Sequence, residues 1–223
     1  EGAFVYVKKG IKLDKLVQIL FVNTNHEESR MMQTRNLFVL EDFAEAQIFE
    51  RHQAFNQGHV FSNSVTESSV GNQAHFKHFK LQNDLDSSSM VDSTFVKQGA
   101  NSSALVDTFA FSGELVRNNL HFEFTGMHAE AHMDAITLLK GKSLVDHHTF
   151  VDHAVPHCQS NQLYKGIYDE KSKGVFNGKV MVRKDAQKTN AFQQNNNLLL
   201  SDFSSVDTKP QLEIFADDVA CSH

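Results

Sequence analysis

A histidine-rich segment, from Asp146 to Cys158, concentrates side chains that could bind a metal ion. Its candidate ligands are His147, His148, His153, His157 and Cys158. Imidazole and thiolate groups are common ligands of zinc and iron. The spacing matches no closed zinc module, however, and on a β-strand His147 and His148 would point to opposite faces. We therefore favour a structural role for this segment over a metal site formed by these five side chains.

Cys221 and His223 form a second candidate pair near the end of the chain. Two residues apart on a strand, they would face the same side, about 6.5–7 Å apart along the backbone. A thiolate and an imidazole in this arrangement could approach one iron ion, or the imidazole could move a proton. Such a pair near a chain end is, by itself, more often without function.

Several other motifs point away from nucleotide binding and stable cofactor binding. Gly141-Lys142-Ser143 resembles the end of a P-loop, but Ile136 stands where that motif needs a glycine, so we interpret it as a turn and expect no ATP binding. Asp217 and Asp218 are adjacent and would face apart on a strand, so we interpret them as a polar corner. No Cys-x-x-Cys occurs, and two cysteines cannot supply the four thiolates of a typical iron–sulfur cluster. We expect the isolated chain to hold no stable cluster.

Composition narrows the class of protein. The net charge of −6 argues against non-specific nucleic-acid binding. No apolar run approaches the roughly 18 residues of a membrane span, and the first residues do not resemble a signal peptide. Cys158 and Cys221 could pair as a disulfide, but two free thiols in a reducing compartment fit better. The sequence thus predicts a cytoplasmic protein with neither nucleic acid nor membrane as partner.

Short runs of alternating hydrophobicity recur along the chain and predict an all-β fold. Predicted strands lie within Val17–Val22, Asn36–Leu40, Ala46–Arg51, Ala74–Gln82, Met90–Val96, Ala104–Phe111, Leu115–Phe124 and Val175–Val182. Helical spacing is weak, in residues 12–20 and 41–49, and neither stretch has a cap and a stop signal. These patterns are compatible with a sandwich, a barrel or a β-helix.

Three features favour the β-helix. Hairpin turn signals are scarce. Apolar triplets near Val180, Leu198 and Ile214 recur every 15 to 18 residues, a spacing that we interpret as one turn of a solenoid. Asn195-Asn196-Asn197 could stack into a polar ladder. No linker divides the chain, so residues 1–223 are expected to form one domain whose interior stacks Phe, Val, Leu and Ile, with Phe122 and Phe124 among them.

The wording of several segments resembles the core of the SufB/SufD family of the SUF iron–sulfur cluster assembly system. The matching segments are Gln18–Thr24, Glu50–His52, Gln187–Asn190, Thr208–Ile214 and Cys221–His223. The last two follow the SufD branch of the family rather than the SufB branch. The resemblance implies a single right-handed parallel β-helix. It also implies that the family's N-terminal and C-terminal helical regions lie outside this chain.

The same resemblance implies a non-catalytic scaffold that builds a transient iron–sulfur cluster with two partners. SufB would meet the C-terminal edge of the β-helix, where Cys221 and His223 would contribute to the nascent cluster. SufC, which binds the ATP, would attach through the C-terminal helices, and the isolated chain would form a homodimer. The alternative is a β-helix that binds or acts on carbohydrate, which five Arg and no Trp make less attractive.

Overall fold

A computed structural model describes residues 2–23, 29–54 and 59–222. In these ranges the chain forms sixteen β-strands and no helix. They are β1 (Phe4–Val7), β2 (Val17–Asn23), β3 (Arg30–Leu40), β4 (Glu45–Ala54), β5 (Val60–Val70), β6 (His75–Gln82), β7 (Ser89–Gln98), β8 (Ser103–Ala110), β9 (Leu115–Phe124), β10 (Glu130–Leu139), β11 (Leu144–His153), β12 (Gln159–Tyr168), β13 (Lys173–Val182), β14 (Asn190–Leu199), β15 (Ser205–Ile214) and β16 (Ala220–Ser222). Every strand segment predicted from the alternating pattern falls on one of them, and the two weakly helical stretches contain turns and strands instead. None of the described residues forms a helix long and apolar enough to cross a membrane.

The strands build two parallel sheets in alternation. Odd-numbered strands form sheet A, in the order β1 to β15, and even-numbered strands form sheet B, in the order β2 to β16. Because consecutive strands enter opposite sheets and every paired neighbour is parallel, the chain winds as a β-solenoid of about seven turns. The predicted β-helix is confirmed.

One full turn is longer than the sequence suggested. Leu144 pairs with Lys173, 29 positions later in sheet A, and Gln159 pairs with Asn190, 31 positions later in sheet B. The predicted turn of 15 to 18 residues was wrong, because that spacing carries the chain only from one sheet to the other. The predicted asparagine ladder is also absent from this part of the structure, since the β12 partners of residues 195–197 are Tyr164, Lys165 and Gly166.

One corner of the solenoid repeats a left-handed backbone conformation from turn to turn. The residues that adopt it are Phe43, Gln73, Asn101, His128, His157 and Lys188, with φ between 54° and 63°. Most donate their backbone N–H to the next turn, as from Gln73 to the Ala100 carbonyl (2.8 Å). Few non-glycine residues adopt this region without penalty, so the repeated corner explains how the chain turns with so few glycines.

The interior is apolar toward one side and polar toward the other. Leu120, Phe122 and Phe124 are buried, which confirms the predicted inward face of β9. The prediction of a uniformly apolar interior was wrong, however. One inward row of sheet A runs Thr34, Ser64, Asp92, Asn118, His147, with each residue in register with the next.

Both ends of the solenoid carry unpaired strand edges among the described residues. Sheet A ends at β1 and β15, and sheet B ends at β2 and β16. Phe4, Phe203 and Phe215 remain 67%, 75% and 62% exposed at these ends. β15 contains Pro210, a residue that sheets tolerate mainly on edge strands.

Candidate functional site

Cys221 lies on β16, the last strand of sheet B, where it pairs with Ala191 of β14. Its side chain is partly buried and packs against the end of the apolar core. Burial raises the pKa of the Cys221 thiol, an effect opposed by the hydrogen bond from the Ala191 backbone N–H. His223 lies outside the described residues, so the expectation that it shares a face with Cys221 stays a prediction.

The chemistry available to Cys221 follows from this position. A thiol with a raised pKa is mostly protonated at neutral pH and is a poor nucleophile. It becomes a strong ligand only when a metal ion displaces its proton. Because one neighbour of β16 is missing on the open side of the sheet, a second protein could approach this thiol along the free edge. Both Cys221 and Cys158 are free thiols.

The histidine-rich segment is distributed over three environments. His147 and His153 point into the solenoid, and His148 points outward from the same strand, β11. His157 stands at the left-handed corner, where its ring stacks on His128 with centroids 4.9 Å apart. Cys158 is fully buried beneath the corner, with its Sγ donating to the Gly126 carbonyl (3.4 Å).

The two inward histidines are held by interior partners. His147 Nε2 lies 3.0 Å from Thr137 Oγ1, and its ring meets Tyr164 edge-on. His153 Nε2 lies 2.9 Å from Ser160 Oγ. Burial lowers the pKa of each imidazole to about 4. Both are therefore neutral at pH 7 and fill the interior as hydrogen-bonding groups.

His148 belongs to a small charged group on the outer surface. Its Nε2 lies 2.9 Å from Asp146 Oδ1, and Arg117 pairs with the same carboxylate. Burial lowers the pKa of His148, although the Asp146 charge opposes that shift. Within the described ranges no three His, Cys, Asp or Glu side chains converge in a geometry that could hold a metal ion.

The two other sequence motifs lie at corners. Gly141 and Lys142 form a turn before β11, as predicted. Asp217 and Asp218 follow β15 in a bend, where Asp218 forms an ion pair with Lys188 of the neighbouring corner. The interpretation of both motifs as structural corners is confirmed.

Sequence analysis missed a buried charged network in the middle of the solenoid. Glu50 accepts hydrogen bonds from His52 and His78, each at 3.1 Å. Burial alone would raise the pKa of Glu50, but the Lys80 charge and the two histidines hold it well below the usual range. Lys80 in turn pairs with Asp92 and donates to Thr94 Oγ1 (2.7 Å).

The sequence signal for this network was an inverted pattern in β6. Its inward residues after Phe76 are His78, Lys80 and Gln82, whereas Phe79 points outward. Alternation alone places the apolar residues inside, so the phase in β6 misleads. A second missed feature, Asp107 opposite Asp134 on the outer face of sheet B, gave no signal because the two residues are 27 positions apart in sequence.

Comparison with protein families places this geometry in context. Residues 21–223 match the family described as SUF system FeS cluster assembly, SufBD core domain. The match covers all strands from β3 to β16 and most of β2.

Individual relatives agree with the family match. An iron–sulfur cluster assembly SufBD family protein of Synechocystis is 33% identical over the whole chain. The iron–sulfur cluster assembly protein SufD of Escherichia coli is 30% identical over 98% of the chain, and the chloroplastic protein ABCI7 of Arabidopsis thaliana is 33% identical over the same share. The chain spans 51%, 52% and 48% of these three proteins, about half of each.

Proposed function

This chain belongs to the SufBD core-domain family of the SUF system for iron–sulfur cluster assembly, and we propose that it acts there as a non-catalytic scaffold of SufD type. In this role it works with SufB and SufC, and the iron–sulfur cluster is cargo that is built and passed on. The carbohydrate alternative is not favoured, since the family match and the relatives described above are named for cluster assembly.

The observation that carries the proposal is the position of Cys221. It is a free, partly exposed thiol on the terminal strand of sheet B, next to an unpaired edge. His223 follows two residues later in the sequence. We assign these two residues to the nascent cluster, with the thiolate as a soft iron ligand and the imidazole as a second ligand or proton carrier.

SufB is the proposed occupant of the C-terminal edge. β15 and β16 expose unpaired backbone groups, and Leu198, Phe203 and Phe215 surround them with apolar surface. Such edges recruit a further chain by strand addition. The same edge would pair with a second copy when SufB is absent, which gives a homodimer of the isolated chain.

ATP and stable cluster binding are assigned to the complex rather than to this chain. SufC would supply ATP binding and attach through a part of the protein beyond this core domain. Two thiols cannot hold a cluster alone, so the cluster would exist only transiently at the interface with SufB. We place this activity in the cytoplasm.

Co-expression with SufB- and SufC-type proteins tests the proposal. His223→Ala and Cys221→Ser should leave copurification intact but lower the iron and sulfide recovered after anaerobic purification. His148→Ala is the matched control, because its imidazole lies in an outward ion-pair group on β11. Failure of the unmodified chain to copurify would overturn the scaffold role, and loss of cluster in His148→Ala but not in His223→Ala would move the site to the histidine-rich segment.

A further inference from the structure

The outer faces of the two sheets treat their carboxylates differently. In sheet A, strand carboxylates are matched by a basic residue one turn away. The pairs are Arg35–Glu67, Lys97–Glu123, Arg117–Asp146, Arg183–Asp152, Lys173–Asp207 and Lys179–Glu213. A carboxylate on this solenoid is therefore ordinarily neutralised from a neighbouring turn.

Asp107 and Asp134 in sheet B break that rule. They are register partners on adjacent strands, β8 and β10, so the two carboxylates stand side by side. In the part of the chain that the structure describes, neither takes part in an ion pair. The Leu163 backbone N–H donates to Asp134, whereas Asp107 Oδ1 is buried without a hydrogen-bond partner.

This arrangement is unfavourable for the chain alone. Like charges directly opposite each other destabilise a sheet, and an unpartnered buried oxygen adds a desolvation penalty. Burial and the charge of Asp134 raise the pKa of Asp107 to about 6. Lys77 and His132 lower that pKa through their charge, but neither approaches within ion-pair distance.

The carboxylates lie in a pocket with mainly apolar walls. It has a volume of about 280 Å³, and Phe109, Ile136 and Leu163 line it, with Lys165 at its rim. An apolar stripe continues along the next outward row of the same sheet. Phe111, Leu138, Ile167 and Leu198 form this stripe, and each is 38% to 54% exposed.

We propose that this surface docks a partner protein that inserts one Lys or Arg side chain between Asp107 and Asp134. The arriving cation would separate the two like charges and supply a donor to the unpartnered Asp107 oxygen. The aliphatic stem of the same side chain would lie against Ile136 and Leu163. Apolar residues that flank the basic residue would cover the stripe.

A basic side chain explains the site better than a bare cation. No third ligand joins the two carboxylates among the described residues, and a divalent ion would leave the apolar walls uncovered. The surface lies on the face of sheet B rather than at its end. The inference therefore goes beyond the scaffold function, and it can be tested on the isolated chain.

Short synthetic peptides provide the probe. The peptide acetyl-Leu-Arg-Leu-amide would be titrated into the labelled protein, with shifts of the backbone amides of Asp107, Asp134 and Leu163 followed by NMR. Acetyl-Leu-citrulline-Leu-amide is the neutral isostere, and acetyl-Gly-Arg-Gly-amide lacks the apolar flanks. We expect saturable shifts with the first peptide, and binding about tenfold weaker for the citrulline peptide, which loses the charge-assisted hydrogen bonds.

Matched variants complete the test. Asp107→Asn with Asp134→Asn should abolish the preference for arginine over citrulline, whereas Glu130→Gln, an exposed acid on the same face of β10, should leave it unchanged. Stronger binding of the leucine-flanked peptide than of the glycine-flanked one would support the apolar stripe. Equal binding of arginine and citrulline peptides, an unchanged preference in the double variant, or no saturable shift would each overturn the proposal.

Discussion

Lys80 of sheet B and Asp92 of sheet A form an ion pair across the interior of the solenoid, where they are only 4% and 2% exposed. The pair links the two sheets in the polar half of the interior. Glu50, His52 and His78 extend the network on one side, and Thr94 accepts a further hydrogen bond from Lys80. A charged pair in this position is stable only while both partners are present.

Removal of one partner should therefore be severe. We expect Asp92→Asn to lower the free energy of unfolding by about 3–5 kcal/mol, because Lys80 would keep a buried charge without its partner. Denaturant unfolding at pH 7.5 measures this change. The exposed pair Lys97–Glu123 (3.7 Å) is the control, and Glu123→Gln should change stability by less than about 1 kcal/mol. Similar losses in both variants would contradict a buried charge at Lys80.

Phe122 tests the apolar half of the interior. The ring is 1% exposed and lies between Val96 and Val151 in register. Phe122→Ala should lower the free energy of unfolding by about 3–5 kcal/mol, since truncation leaves a cavity among packed side chains. Phe203→Ala removes a ring that is 75% exposed and should cost less than about 0.5 kcal/mol. A loss below about 1 kcal/mol for Phe122→Ala would show that the ring is not part of the core.

Stability should fall on mild acidification because of His147 and His153. Their folded pKa values are about 4, whereas an unfolded histidine titrates near 6.5. Between these values the unfolded chain binds more protons, so the free energy of unfolding decreases as pH falls through this window. The variant His147→Gln with His153→Gln should show a shallower decrease between pH 7 and about 4.5 when denaturant unfolding is repeated across the range. Parallel pH profiles for the two proteins would refute the assignment.

Gln73 tests the left-handed corner. Its φ is 55° and its side chain is exposed, so the backbone conformation rather than a side-chain contact determines the effect. Gln73→Gly should raise the free energy of unfolding by up to about 1 kcal/mol, because glycine adopts this region without a Cβ clash. Gln73→Ala keeps the Cβ and should bring no gain. Thermal unfolding of the two variants side by side would reveal equal stability if the corner were unstrained.

The sequence predicted the parts of the fold that depend on local pattern. Alternation located the strands, and the inward face around Phe122 and Phe124 follows the rule that apolar residues point inward. The same rule failed in β6, where Phe79 points outward and Lys80 inward. Alternation gives the period of a strand but not its phase when a buried charge finds a partner in the opposite sheet.

The sites depend on contacts that no local pattern encodes. Cys221 was singled out from its neighbour His223 and from family wording, and the structure adds the burial and strand edge that determine its chemistry. The pair Asp107 and Asp134 forms only because the turn between β8 and β10 is 27 residues long. Once the turn length was misjudged, no reading of the sequence could bring those two carboxylates together.

The strand order also gives the molecule the character of a rigid strut. Eight strands in each sheet leave seven intervals, and at about 4.8 Å per interval the two ends stand about 34 Å apart. Backbone hydrogen bonds run along this axis, so a load applied at one end is carried to the other by the stiffest bonds in the molecule. A protein bound at β16 and another bound at β1 would be kept at a set separation, unable to touch yet mechanically joined.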